Sequence, residues 1–306
     1  MNEFELIAQL TRSLAANPTV VAGPGDDCAV LDVGLPGRCL LFKTDAVVEG
    51  IHFLMDAPPE KIGHKALARC LSDIAAMAGK PLAALVTLGL PKTFDPAFIG
   101  KIYDGMNKLA RSFGVAIVGG ETTTNPERIL ISISMIGEVE KHKCILRSGA
   151  RDGDGIFVSG ELGGSISGKH LDFQPRLAEA RWLADHFPIH SMIDISDGLV
   201  NDLWHILDRS GVGAELLAKS IPISRAAKLR KAQKLPMEAA LGDGEDFELL
   251  FTVPPGLAVA LLDGWKAQFP KLRLSCIGKI TKTPGVSLRD ATGVHSLKSN
   301  GYVHFA

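Results

Sequence analysis

The 306-residue chain reads as an α/β protein built in two domains. Three observations carry that reading. Short apolar runs of strand character, such as Cys28 to Leu31, Cys39 to Phe42, Leu82 to Leu90 and Val115 to Val118, are interleaved with stretches whose apolar residues recur at three and four. The hydrophobic content of 46% is enough to fill two ordinary cores. Glycine density rises from Arg147, in RSGARDGDGIFVSGELGGSISG, which sets a boundary between residues 140 and 150 and gives domains over 1–140 and 147–306.

Whole-chain properties exclude several function classes. With 33 basic against 34 acidic residues the formal net charge is -1, so neither nucleic acid nor another polyelectrolyte partner is implied. The start, MNEFELIAQLTRSL, has early acids where an export signal needs a basic start and an apolar core. The longest apolar region, Ile74 to Leu90, is broken by Lys80-Pro81 and is not a membrane span. Five scattered cysteines without a CxxC pair fit reduced thiols in a cytoplasmic protein, not zinc ligands.

Taken in order, residues 3–15 are predicted to form a helix with Phe4, Ile7, Leu10 and Leu14 on one face. The stretch from Gly25 to Phe53 follows, with Asp26 and Asp27 closing a GPG turn before one strand and Asp45 ending a second. Two carboxylates about 4 Å apart repel by ~4 kcal/mol at the effective dielectric of a protein site, so such acids, once gathered, need cations. Mg²⁺, held by a few carboxylates plus substrate phosphates, is the obvious candidate. Turn aspartates that bond their own backbone are the bland alternative. His52, in EGIHF, is a loop residue or a substrate contact.

Residues 63–78 read as an amphipathic helix through Ala66, Leu67, Cys70, Leu71, Ile74 and Ala75. Asp73 sits inside it, where an aspartate wants a partner, either a metal or a lysine or arginine. Gly79-Lys80-Pro81 ends this helix, a buried strand follows, and a second helix runs from Pro96 to Phe113. The next strand delivers Gly119-Gly120-Glu121, where paired glycines let backbone approach a ligand. The alternating ISISMIG is another strand.

In the second half, Arg147 is a phosphate ligand or a solvated loop arginine. The glycine run at 160–168 is a mobile loop or a phosphate cradle, and it does not match the common P-loop pattern. A short strand at Met192-Ile193 leads to Asp194, Ser196 and Asp197 at the start of a helix with Leu199, Leu203, Ile206 and Leu207 on its apolar face, Ser196 and Asp197 also being plausible caps. Glu245 and Asp246 stand between a glycine turn and a strand, and Tyr302 stands near the end in NGYVHF.

Together, GDDCAVL, TDAVVEGIHF, SDIAAM, GGETT, RSGARDGD, DISDGL and GEDFELLFT resemble the thiamine-monophosphate kinase family, in order along nearly the whole chain. That family shares its fold with aminoimidazole ribonucleotide synthetase, selenophosphate synthetase and a hydrogenase maturation factor. The resemblance implies two α/β domains, a homodimer whose N-terminal domains pair into a β-barrel, and ATP-dependent phosphorylation of thiamine monophosphate. It further implies several Mg²⁺ ions on Asp27, Thr44, Asp45, Asp73, Glu121, Asp194 and Asp197, and it admits K⁺ as an accessory ion. Thr44, Gly120, Glu121, Arg147 and Ser196 would face ATP, and His52, Glu245 and Tyr302 the thiamine end.

The sequence departs from the family pattern at Lys43, where a small hydroxyl residue is usual, at Glu121, where an aspartate is usual, and at Thr124-Asn125, where Arg-Gly often stands. The segment after GGSISG is also shorter and lacks a helix. The rivals are an ATP-dependent enzyme of the same fold with a changed acceptor and a non-catalytic nucleotide- or metal-binding relative. No cysteine precedes Cys28 and the chain ends Phe305-Ala306, which disfavours the selenophosphate and maturation-factor chemistries.

Overall fold

A computed structural model describes residues 3–229 and 234–297 of the chain. Tyr302, with the rest of NGYVHF, lies outside the described residues.

After helix α1 (Glu3–Thr11), the first half forms a six-stranded sheet from β1 (Val20–Ala22), β2 (Ala29–Leu31), β3 (Arg38–Val48), β4 (Lys80–Leu90), β5 (Ala116–Thr124) and β6 (Leu130–Glu140). The spatial order is β1-β2-β3-β6-β4-β5, antiparallel except for the β4/β5 pair. Helices α2 (Pro59–Ala76) and α3 (Pro96–Phe113) lie side by side and cover one face of this sheet. Their close crossing needs glycine: a Cβ on Gly63 would stand 1.8 Å from the Ile102 carbonyl oxygen, and one on Gly105 would stand 1.9 Å from that of Glu60. Helix α3 is capped at both ends, by the Asp95 side chain accepting from Ala97 N and by Gly114 in the left-handed region. The sheet is open, and among the described residues no strands close it into a barrel.

The second half forms a seven-stranded sheet of β7 (Gly155–Ser159), β8 (Ser191–Asp194), β9 (Gly213–Leu217), β10 (Leu249–Val253), β11 (Leu274–Thr281), β12 (Gly285–Arg289) and β13 (Val294–Leu297), in the order β13-β12-β9-β11-β7-β10-β8. Its helices are α4 (Leu177–His186), α5 (Leu199–Ser210), α6 (Arg225–Leu229), α7 (Pro236–Gly242) and α8 (Ala258–Gln268). Strand alternation divides the core. Phe157 and Phe251 point to the side that holds Leu177, Leu183 and Trp265, whereas Ile156, Val158 and Leu250 join Leu199, Leu203 and Ile206 of α5. The first of these clusters continues into the core of the six-stranded sheet, so the two halves share apolar contacts around α2, α4 and β8.

Three sequence expectations are corrected. The first helix stops at Thr11, and Ile7, Leu10 and Leu14 are exposed, because no other part of the described chain covers them. Asp45 does not end a strand; it lies inside the eleven-residue β3, and Gly119 to Glu121 likewise lie inside β5. Helix α2, read as amphipathic with one face to a core, is buried almost all round, including Lys65, Ser72 and Asp73. Its polar face meets the second half of the chain. Among the described residues no helix is long and apolar enough to cross a membrane.

Candidate active site

Asp27 before β2, Asp73 in the last turn of α2 and Asp194 at the end of β8 each offer a carboxylate oxygen within 4.8 Å of the others. Exposures of 2%, 7% and 3% make this a buried group, brought together from three elements in both halves. Its partners are internal. Arg147 Nη2 donates to Asp27 at 2.6 Å, Lys43 Nζ lies 2.8 Å from Asp73, and Ser72 Oγ donates to Asp194 at 2.5 Å. Burial pushes the Asp73 carboxyl well above the usual range, with Lys43 opposing and Asp194 and Asp45 adding to the rise. Burial and then the Asp27 charge take Asp194 up to about 6. Burial works to lower Lys43, but the Asp73 and Asp45 carboxylates outweigh it and hold the ammonium charged.

These residues fit a hard divalent cation. All the donors are carboxylate oxygens, as Mg²⁺ prefers. Asp27 Oδ2 is buried with no hydrogen-bond partner among the described residues, although such atoms are nearly always satisfied. A second group, Asp197, Asp202 and His205, also converges within 4.8 Å. Asp202 Oδ2 accepts from Asp197 N at 3.1 Å, and burial with the Asp197 charge raises the Asp202 carboxyl well above the usual range. Burial, then the Arg147 charge, brings His205 down to about 4. Helix α5 starts at Leu199 after Gly198, with no side-chain cap, so neither Ser196 nor Asp197 serves as its N-cap.

Next to the acids lies a cleft of about 280 Å³ lined by Ile51, His52, Arg69, Ser196, Glu245 and Phe247, among others. Helix α2 equips it. Lys65, Arg69 and Ser72-Asp73 stand at i, i+4 and i+7/i+8, so one helical face carries Arg69 to the cleft, Lys65 to the cleft's Glu245 and an acid to the cluster. Arg69 grips Asp45 through Nε at 2.7 Å and Nη2 at 3.2 Å, and its Nη1 lies 3.5 Å from Glu245. Lys65 Nζ donates to Glu245 at 2.7 Å and to the His52 carbonyl at 2.7 Å, while His170 Nδ1 lies 3.0 Å from Glu245. Burial disfavours the Glu245 charge, but the His170 and Lys65 contacts prevail and hold it at about 2. Burial brings Lys65 down to about 8.

The structure therefore gathers Asp27, Asp73 and Asp194, with Arg147 attached, and places His52, Ser196 and Glu245 in the adjoining cleft. It does not bring every expected ligand to the acids. Asp45 is engaged by Arg69 and lies outside the three-acid group. Thr44 and Glu121 are exposed on the sheet face away from α2, where the Glu121 carboxylate accepts from Thr122 N at 2.8 Å. Gly120 is explained by strand packing, since a Cβ there would stand 1.8 Å from the Val86 carbonyl oxygen. The glycine run at 160–168 is not an open cradle: Gly163 N and Gly164 N already donate to Asp246 and Asp243.

Lys65, Arg69, His170, Asp202 and His205 were not singled out by the sequence. The spacing of cations along one buried helix, and Asp202 and His205 at i and i+3, were the available signals.

Two family descriptions match the chain in tandem, AIR synthase related protein, N-terminal domain, over residues 25–139 and AIR synthase related protein, C-terminal domain, over residues 145–291. Thiamine-monophosphate kinase of Rhodopirellula baltica is 38% identical over 99% of this chain and 97% of its own length. The enzyme of that name from Bacillus subtilis is 34% identical over the full length of both. Among solved structures, AaThiL complexed with AMPPCP and TMP superposes with a TM-score of 0.82 at 32% identity, covering 99% of this chain and 97% of its own. A likeness of this extent, across both halves, makes the chain a member of the thiamine-monophosphate kinase family of AIR synthase-related proteins.

Proposed function

We propose that the chain transfers the terminal phosphoryl group of ATP to thiamine monophosphate, releasing ADP and thiamine diphosphate. The observation that carries this reading is the buried three-acid group beside a cleft lined by Arg69, His52 and Glu245, in a chain that superposes throughout on a relative described with AMPPCP, an ATP analogue, and TMP.

Asp27, Asp73 and Asp194 would hold Mg²⁺, which spreads the charge that develops on the transferred phosphoryl oxygens. The chain's own residues supply position. Arg147 and Ser196 would orient the nucleotide phosphates, and Arg69, His52 and Glu245 the acceptor. A terminal oxygen of the acceptor phosphate forms the new bond to phosphorus as the bond to the ADP oxygen breaks. That oxygen is already ionised at neutral pH, so no strong base is required and the transfer is direct and in line. Asp45 and Lys65 act through the groups they hold, Arg69 and Glu245.

Two domains over 1–140 and 147–306, a cytoplasmic location and pairing of the N-terminal sheets in a homodimer belong to the same reading. The separate six- and seven-stranded sheets support the two domains, and the open apolar sheet face supports the pairing. In such a dimer Thr44, Gly120 and Glu121 would be presented to the nucleotide near the interface.

The test is to incubate the purified chain with ATP, Mg²⁺ and thiamine monophosphate and to separate the products by chromatography. Thiamine diphosphate is expected. Asp73→Asn should lower its rate more than about 100-fold, since even partners one shell beyond a metal's ligands typically cost 10–100-fold. Unchanged turnover in that variant would remove Asp73 from the site. ATP binding without product would instead favour a changed acceptor or a non-catalytic relative.

A further inference from the structure

We infer that Lys43 is a built-in cation of the acidic group and takes the place of one divalent ion there. This deepens the metal-site reading of Asp27, Asp73 and Asp194, and it rests on that reading.

Strand β3 aims Lys43 and Asp45 at the same face, toward α2. Its ammonium stands 2.8 Å from Asp73 Oδ1, and the lysine side chain is only 23% exposed. A lysine aimed at the covered face of a sheet needs an acid to hold its charge. Here that acid is Asp73, a member of the three-acid group.

The charges of the group point the same way. Fully ionised, as ligands of a divalent ion must be, Asp27, Asp73 and Asp194 carry three negative charges, while Arg147 and Lys43 supply two positive ones. One divalent ion more than balances the remainder, whereas a second would crowd a fixed ammonium on a shared carboxylate.

An oxygen open to an ion belongs to a different acid of the group. Asp27 Oδ2 is buried and unpartnered, whereas Asp73 Oδ1 is occupied by Lys43 and Asp194 Oδ2 by Ser72. The ion is thus expected on the Asp27 side, with the lysine holding the Asp73 side.

The experiment counts Mn²⁺ bound to the full chain without nucleotide, by the loss of its free-ion electron paramagnetic resonance signal and by calorimetry. Wild type, Lys43→Ser, Lys43→Arg and Lys43→Ser/Asp73→Asn are compared. The expected result is one additional Mn²⁺ per chain in Lys43→Ser, no addition in Lys43→Arg, and loss of the added ion in the double variant. Equal numbers and affinities in wild type and Lys43→Ser, with binding abolished by Asp27→Asn, would overturn the role of Lys43 and leave the metal site standing. No Mn²⁺ bound by any variant would overturn the metal site and the inference with it.

Thermal melting gives a second reading that tolerates a weakly folded variant. Lys43→Ser should melt below wild type without ions and regain more of its stability on Mn²⁺ addition than wild type gains. Equal Mn²⁺-induced shifts in the two proteins would overturn the inference.

Discussion

Single residues set the electrostatic character of the site, and Glu245 shows how. Its carboxyl is held at about 2 against an ordinary value of 4.5, because His170 and Lys65 outweigh the burial that disfavours its charge. The folded chain therefore binds fewer protons at Glu245 than the unfolded chain between pH 4.5 and 2. The stability this residue contributes is complete above the upper limit and is lost as pH falls through the window. Glu245→Gln should flatten that part of the stability-against-pH curve measured by urea denaturation, and an unaltered acid limb would show that the contacts carry no such energy. The same residue shows what the sequence revealed and what it hid. Glu245 and Asp73 were legible because an acid beside a glycine turn, or inside a helix of small residues, conflicts with its surroundings. Lys65 and Arg69 were not, because a cation on an amphipathic pattern reads as solvated surface. Only the packing of the second half against α2 reverses that reading, and packing between distant segments leaves no local mark. Lys65 ends with a side chain just 1% exposed.

At the scale of elements, α2 and the segment around Glu248 are the two devices that hold the site. The helix joins cleft and acids because Lys65, Arg69, Ser72 and Asp73 share one face. Replacing Arg69 with Met would leave Asp45 partly buried without its partner. Breaking a buried pair from one side costs about 3 kcal/mol or more, so a loss near that figure is expected in denaturant unfolding. The restoring change is Asp45→Asn, and a double variant no more stable than Arg69→Met would argue against the pair. Glu248 is the other fastening. Its buried carboxylate accepts from Ser159 Oγ at 2.7 Å, Lys169 Nζ at 2.7 Å and Arg176 through two nitrogens at 2.8 and 2.7 Å. It thereby ties β10 to β7, to the short turn that carries Lys169 and to the start of α4, and it closes both ends of the glycine run. Glu248→Gln should raise amide hydrogen exchange across residues 160–168, and protection equal to wild type would show that the glycines are held by Asp246 and Asp243 alone. The strands and the longer helices were legible here from periodicity. The organisation of the glycine run was not, because glycines admit many backbone paths and the carboxylates that select one lie some 80 residues away in GDGEDFE.

At the scale of the whole molecule, one large surface has no counterpart among the described residues. The six-stranded sheet is covered by α2 and α3 on one side, while its other face exposes Phe42 at 47%, Leu85 at 47%, Val118 at 64% and Ile136 at 37%. These residues are neighbours, not scattered. Phe42 pairs with Ile136 across β3 and β6, and Leu85 on β4 lies between β6 and the edge strand β5 that carries Val118. A contiguous apolar patch on a sheet, with an unpaired edge beside it, marks an interaction surface. Self-association through this face, as proposed above, would account for Thr44 and Glu121 lying on it instead of joining the acids. The expected state is a homodimer at micromolar concentration by sedimentation equilibrium. Leu85→Glu should dissociate it while leaving the circular dichroism of the chain intact, because a half-exposed side chain contributes little to the core beneath. If Thr44 and Glu121 serve the nucleotide across that interface, kinase activity should fall together with the dimer fraction and recover as protein concentration rises. A wild-type chain that sediments as a monomer, or a monomeric variant with full turnover at every concentration, would show that each chain's own acids and cleft suffice.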